Sequence, residues 1–364
     1  MQQWAMATLP SHSAKTSLDL ALQGGGSHGA FTWGVLDRLL EEKSLRLTGI
    51  SGTSAGAMNA VALASGLMEG GREGARTALR RLWTRVGEIN PFGGLGHAPV
   101  APWMDPDSPW AAPWLGPVRS YAQWLSTQAS PYQLNPLNLN PLRDILRDTI
   151  DFDRVRACHR TQLFIAATRV KTGELRIFRQ DELSPDVILA SACLPLLFQA
   201  VEIDGEAYWD GGYAGNPSLL PLVLESPGDD LLLVQINPAQ RDDLPVRANE
   251  ILDRINEVTF NASLLKELRN IVLLKQLLAA EGWAARRLRS QVFRRIAALR
   301  LHRVDGGPEL AALGAGSKTR TDPAFLERLF QQGQAAANAW LERHRGDIGT
   351  RGTLALELDA GGMN

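Results

Sequence analysis

Cysteine is nearly absent from this chain, with Cys158 and Cys193 the two residues of that type in 364. That excludes a disulfide framework, leaves no cysteine-based metal cluster, and fits a reducing compartment. An excess of charge is lacking too, because 38 Lys and Arg stand against 39 Asp and Glu for a formal net charge of −1. Nothing in that balance draws the whole chain to nucleic acid, so attraction to a charged partner must be local. Long apolar runs are also missing. The longest, Ile188 to Val201, contains Ser, Cys, Pro and Gln and falls short of the roughly 18 residues that read as a bilayer span. Met1 to Ser17 is polar and alanine-rich, without the apolar segment of a secretory signal. A soluble cytoplasmic protein is expected, and 45% hydrophobic with 21% charged residues is ordinary for one.

What the chain does have is alternation of strand-like and helix-like stretches, the mark of an α/β fold with a largely parallel sheet. Leu18–Leu22 reads as a buried strand running into the glycine loop Gly24-Gly25-Gly26-Ser27-His28-Gly29, with helical spacing from Phe31 to Glu42. Leu45–Ile50 is the next strand and Ala57–Leu67 the next helix, followed by another over Glu73–Val86. Between Asn90 and Pro141 lie ten of the 20 prolines, with Trp103, Trp110, Trp114 and Trp124. Such proline density forbids long helices and central strands, so this is an irregular, lid-like insertion with a short helix near Ser120 to Thr127. Gln162–Arg169 and Leu175–Arg179 read as a hairpin, Asp186–Cys193 as a helix, and Gln199–Ile203, Glu206–Trp209 and Leu231–Ile236 as strands. The last third is mainly helical: Val246–Leu278, an Arg-rich stretch over Trp283–Leu299, and Ala324–Arg343. The expected division is a flexible tail over 1–17, a catalytic core over 18–240 with the insertion at about 90–141, a helical region over 241–345 packed on the core, and a flexible tail over 346–364.

The chemistry centres on Gly52-Thr53-Ser54-Ala55-Gly56. G-x-S-x-G is the spacing of a nucleophile elbow, in which a serine on a sharp strand-to-helix turn needs small neighbours two positions either side. Ser54 is the candidate nucleophile, and the helix behind it aims backbone N–H groups and a positive dipole end at the same point.

The glycine loop admits three readings. Gly24, Gly26 and Gly29 satisfy the dinucleotide fingerprint G-x-G-x-x-G, but the acid it requires at the end of the second strand is replaced by Ile50-Ser51-Gly52. A structural tight turn is the plainest alternative. An oxyanion hole, drawn from Gly24, Gly25, Gly26, Ser27, His28, Gly29 and Ala55, needs no acid and does need a nearby nucleophile, which adjacent parallel strands would bring.

A base for Ser54 comes from Asp210-Gly211-Gly212 at the end of a strand. Asp210 could accept the serine proton directly if desolvation raises its basicity, while an Asp-Gly turn is the ordinary alternative. The Ser, Asp, His order of α/β-hydrolases would leave only His302 or His344. The alternation of Leu299 to Val304 makes His302 a structural strand residue, and His344 sits in the last helix.

Taken together, the three stretches resemble the patatin-like phospholipases, with their glycine-rich G-G-G-x-R/K-G loop, G-x-S-x-G elbow and downstream D-G-G or D-G-A. Here these are Gly24–Gly29, Gly52–Gly56 and Asp210–Gly212, in the family's order, with Ser191–Phe198 similar to its segment before the catalytic aspartate. The resemblance covers roughly Leu18 to Ile236. It implies a three-layer α/β/α sandwich and a serine–aspartate dyad acting on lipid ester substrates; such a mechanism requires no cofactor or metal, and peripheral contact with membranes is a separate expectation. The chain departs from the pattern at His28, where the family carries Arg or Lys. Other acyl esters, acyl transfer, and a binding module that retains the fold stay open as alternatives. For the arginines at 286, 287, 289, 294 and 295, a solvated face and a contact with anionic headgroups also stay open.

Overall fold

The computed structural model describes residues 15–89, 130–238, 240–241, 244–280 and 289–354. The helix expected near Ser120 to Thr127, most of the proline-rich insertion, Arg286 and Arg287 lie outside them.

The chain opens with β1 (Thr16–Leu22), α1 (Gly29–Glu41), β2 (Leu45–Gly52) and α2 (Ala55–Ile89). α2 breaks at Gly70 and Gly71, where φ is −151° and 64°, so it is the two helices the spacing predicts. Short helices α3 (Pro131–Leu134), α4 (Pro141–Thr149) and α5 (Phe152–Arg156) lead back to the sheet. Asn140 caps α4 and Asp151 caps α5 by accepting backbone N–H groups of the first turn. Then follow β3 (Gln162–Arg169), β4 (Leu175–Arg179), α6 (Pro185–Ser191), β5 (Val201–Ile203), β6 (Glu206–Asp210), α7 (Leu220–Glu225) and β7 (Asp230–Gln235). The last third holds α8 (Ala248–Ala280), α9 (Gln291–Ala298), β8 (Arg300–Asp305), α10 (Gly307–Ala311) and α11 (Pro323–His344).

The strands form one sheet, paired in the order β5-β6-β3-β2-β1-β7-β8 with β4 also on β3. β3, β2, β1, β7 and β8 run parallel, and β4, β5 and β6 make the antiparallel pairs. Alternation along the parallel strands sorts side chains into two apolar cores. Leu18, Leu20 and Leu22 of β1 and Leu232 and Val234 of β7 face one core, with α1, α2 and α11. Ala21, Leu231 and Leu233 face the other, with Leu222 of α7, Leu264 and Leu268 of α8 and Ile296 of α9. The protein is therefore a three-layer α/β/α sandwich with a mostly parallel centre, and its strands read as continuous apolar runs because both faces are covered.

The described residues add detail at three places in the expected division. β8 pairs with β7 along its full length, so the C-terminal third extends the central sheet as well as packing on it. The stretch from Gly346, read as a flexible tail, is in part structural: Gly349 donates its N–H to Asp230 Oδ1 at 3.0 Å, and Thr353 donates to the Leu301 carbonyl at 2.9 Å. Thr16 and Ser17 likewise belong to β1 rather than to a tail.

The register places the site. β4 occupies one edge of β3 over Phe164 to Thr168, so β2 and β6 must share the other. β2 reaches Ile165 with Gly52, and β6 reaches Ala167 with Asp210. The ends of β2 and β6 thus meet along one strand edge, with the elbow and the D-G-G turn facing each other.

Candidate active site

Ser54 follows β2 by two residues and holds φ at 55°, the left-handed region that a non-glycine residue adopts at a cost of about 1–3 kcal/mol. The turn is tight because the helix behind it presses on β1: a Cβ at Gly56 would stand 2.2 Å from the Leu22 carbonyl oxygen. Thr53 Oγ1 donates to the Gly215 carbonyl at 2.7 Å and Ser51 Oγ to the Ser218 carbonyl at 2.6 Å, fixing the elbow to the loop after β6. The Ser54 N–H donates to Ser191 Oγ at 2.9 Å.

The glycine loop lies against the elbow. A Cβ on Gly24 would come within 2.8 Å of Ser54 Cβ. Several loop N–H groups are already engaged: Gly24 donates to Asn216 Oδ1 at 2.7 Å, His28 to the Gly25 carbonyl at 3.3 Å, and Gly29 to carbonyls of the short 3-10 turn Gly26–His28. Among the described residues no backbone partner engages the N–H groups of Gly25, Gly26 or Ala55. Gln23, directly after β1, accepts from the N–H groups of Ile236 and Asn237 at 2.9 and 2.8 Å and donates to Asn261 at 2.8 Å.

Asp210 is fully buried. Its N–H donates to the Cys193 carbonyl at 2.8 Å, so the 191–193 segment holds both Ser54 and Asp210. Asp210 Oδ1 accepts from the Gly212 N–H at 2.7 Å, and Oδ2 has no hydrogen-bond partner among the described residues. Burial pushes the carboxyl up to about 7, against the lowering influence of the Gly212 N–H, the Ser54 hydroxyl and the Lys318 charge. Ser54 is thus close enough to act on the carboxyl electrostatically, without a hydrogen bond of ordinary geometry between them.

A cavity of about 220 Å³ opens over Ser54 and Asp210. Met58, Trp83, Val86, Leu142 and Leu194 give it apolar walls. The far side comes from stretches that carried no motif: Asn256 and Phe260 of α8, and Lys318 and Thr319 of a 3-10 turn over Ala315–Thr319. Lys318 is held down by burial in its basicity, which Glu257, Asp253 and Asp210 oppose. His28 is buried, with Nε2 2.7 Å from Ser317 Oγ, and is pushed down to about 3 by burial and by the Lys318 charge, so its ring is neutral.

The other candidates lie elsewhere. His302 Nε2 is 3.0 Å from Asp230 Oδ1 and Nδ1 3.0 Å from Thr353 Oγ1, at the β7–β8 edge, and His344 pairs with Asp347 at 2.9 Å. Cys158 and Cys193 are free and buried. Arg289 and Arg294 are exposed, whereas Arg295 donates to the Leu222 carbonyl at 3.3 Å. Among the described residues no helix is long and apolar enough to cross a membrane, and no group of three or more His, Cys, Asp or Glu could hold a metal ion.

Among curated proteins none matches the sequence significantly. Of solved structures, VipD from Legionella pneumophila is similar with a TM-score of 0.40 at 17% identity, covering 91% of this chain and 67% of its own. Full-length ExoU in complex with SpcU, from the type III secretion system of Pseudomonas aeruginosa, gives a TM-score of 0.28 at 16% identity over 89% of this chain. This chain spans about half, 53%, of that one. The sequence pattern of patatin-like phospholipases matches residues 20–223, the stretch that carries the glycine loop, the elbow and the aspartate turn. With more than half of its length inside that match, the chain belongs to the patatin-like phospholipase family.

Proposed function

We propose that this protein hydrolyses carboxylic ester bonds of lipids, in the manner of a phospholipase A or lysophospholipase, with Ser54 as nucleophile and Asp210 as its base. One observation carries the reading: β2 and β6 end side by side on β3, so a serine at positive φ faces a fully buried carboxyl with one unpartnered oxygen. Ser54 Oγ attacks the ester carbonyl carbon while its proton passes to Asp210. The oxyanion is met by the N–H groups of Gly25 and Gly26 in the wider Gly24–Gly29 loop and of Ala55 at the start of α2, which no backbone partner engages among the described residues. Collapse expels the alcohol, which takes the proton from Asp210 and leaves an acyl-serine. Water then adds, giving its proton to Asp210, and Ser54 departs with that proton as the carboxylic acid forms.

The cavity lies below the roughly 300 Å³ at which small-molecule pockets begin. It takes the ester and the nearest methylenes, and the rest of a long chain lies outside. Leu194 and Leu142 line it, while Leu137, Leu139 and Leu196 nearby in sequence are exposed, which supports contact with a lipid surface.

The test is labelling by a fluorophosphonate probe with intact-mass detection, on the wild type, Ser54→Ala and Asp210→Asn, followed by a panel of single-chain, two-chain and short-chain esters. Labelling at Ser54 that disappears in Ser54→Ala and falls in Asp210→Asn supports the dyad. Equal labelling of Asp210→Asn removes Asp210 as the base, and transfer of the acyl group to an added alcohol in preference to water makes the enzyme an acyltransferase.

A further inference from the structure

We infer that Lys318 is a positioning residue of this site: carried in by the 315–319 turn, its ammonium supplies, beside Asp210 and the glycine loop, the positive charge that position 28 lacks. Lys318 and Asp210 are the two charged side chains lining the cavity among the described residues. The turn is fitted to the loop at two points. A Cβ on Gly26, whose φ is 59°, would stand 2.3 Å from the Lys318 carbonyl oxygen, and His28 Nε2 meets Ser317 Oγ at 2.7 Å. The side chain is aimed by α8: Lys318 Nζ is 3.5 Å from Asn256 Oδ1 and 6.0 Å from the centre of the Phe260 ring. That ring in turn packs on Gly212, whose N–H holds Asp210.

Family membership did not indicate this residue, since it lies beyond the matched stretch 20–223. A neutral His28 cannot do the work of the family's Arg or Lys, and its neutrality is itself enforced by burial and by Lys318. Other ionisable groups face the pair. Cys193 and Tyr213 lie near Asp210, and both are pushed up, toward the neutral form. Asp253 and Glu257 of α8 and Arg241 lie near Lys318. Glu257 is committed elsewhere, to Arg241 at 2.5 and 2.9 Å and to Arg254 at 3.1 Å. Lys318 thus joins the Gly212 N–H and the Ser54 hydroxyl in favouring the ionised form of Asp210 against a burial that favours the neutral acid.

The inference rests on the Ser54–Asp210 reading for its kinetic arm only, so it is tested in two ways on the full chain. In protein labelled with ¹³C in the aspartate carboxyls, the Asp210 resonance is assigned by its loss in Asp210→Asn and titrated. In Lys318→Met, and in Lys318→Gln should the first fail to fold, the midpoint rises by about one unit, and Lys318→Arg keeps the wild-type value. With a neutral ester such as p-nitrophenyl butyrate, the acid limb of kcat/KM moves by the same amount, a loss of about tenfold near pH 6 and almost none near pH 9. An unchanged midpoint in Lys318→Met overturns the inference. A shift that Lys318→Arg shows equally also overturns it, because that is the mark of packing. Should the wild type hydrolyse no ester, the carboxyl titration decides the role of Lys318, while the dyad reading fails separately.

Discussion

Trp83 donates its indole N–H to Asn59 Oδ1 at 2.9 Å, across the kink that divides α2. Asn59 passes the connection on, giving its amide to the Gly29 and Ala55 carbonyls at 3.0 Å each, so one buried side chain ties the glycine loop, the elbow helix and the cavity wall. Asn59→Ala leaves the Trp83 donor without this partner, at a cost of about 1–3 kcal/mol. Thermal unfolding is expected to show that loss and fluorophosphonate labelling of Ser54 to slow with it. Undiminished labelling in a destabilised variant would confine Asn59 to a structural role.

Asp210 yields a prediction of opposite sign for activity and stability. Burial pushes its carboxyl up to about 7, and the proposed base must be ionised to act, so kcat/KM is expected to rise with pH through that value and to level off above it. A raised carboxyl pKa means that the fold prefers the proton, so stability is full below the unfolded value near 4 and is lost as pH rises through about 7. Asp210→Asn is therefore expected to lower turnover by roughly 10,000-fold while raising the melting temperature above about pH 8 and hardly at all near pH 4. Equal melting temperatures at high pH would contradict the burial of the charge.

A second pair of acids, at the other end of the strands, behaves in contrasting ways. Asp230 is desolvated, yet His302, Arg300 and the Gly349 N–H outweigh that and hold it at about 2. Its contribution is present above the unfolded value near 4 and disappears as pH falls toward 2. Asp230→Ala strips Arg300 and His302 of their shared acceptor, and a loss of about 3–5 kcal/mol is expected in denaturant unfolding at neutral pH. His302→Gln should lower stability with kcat/KM unchanged. A collapse of turnover there would restore a histidine to the mechanism.

Asp19 is the counterpart. Thr48 and Ser226 both donate to its Oδ1 at 2.6 Å, but burial dominates and pushes the carboxyl up to about 6. The fold is thus weakened as pH rises from about 4 through about 6. Asp19→Asn keeps the acceptor for both hydroxyls and removes the charge, so it is expected to stabilise the protein above about pH 7 and to leave it unchanged near pH 4. Differential scanning calorimetry at the two pH values checks this.

The parts of the site that could be read from sequence are those whose physics is local. A serine between glycines at a strand end, a glycine loop after an apolar strand and an aspartate before two glycines announce themselves within a few residues. The layers followed from strands apolar on both faces, such as Leu231 to Val234. Long-range partners left no comparable mark. Asn216 beneath Gly24 is joined to its motif across 192 residues, and Lys318 meets Gly26 from the far end of the chain, while Phe260 reaches Gly212 from a helix that carries no motif of its own. In Ala315-Gly316-Ser317-Lys318-Thr319 nothing but a turn is written. The alternation of Arg300 to Val304 did announce a strand, but not that β7 would be its neighbour.

The fit of the 315–319 turn onto Gly26 gives the two halves of the cavity separate genetic addresses. One half, with the serine and the aspartate, lies inside the family's shared stretch, and the other lies past it. On the proposed reading, substitutions that drift through the C-terminal third can therefore re-tune which esters are accepted and at what acidity, while the serine and the aspartate stay as inherited.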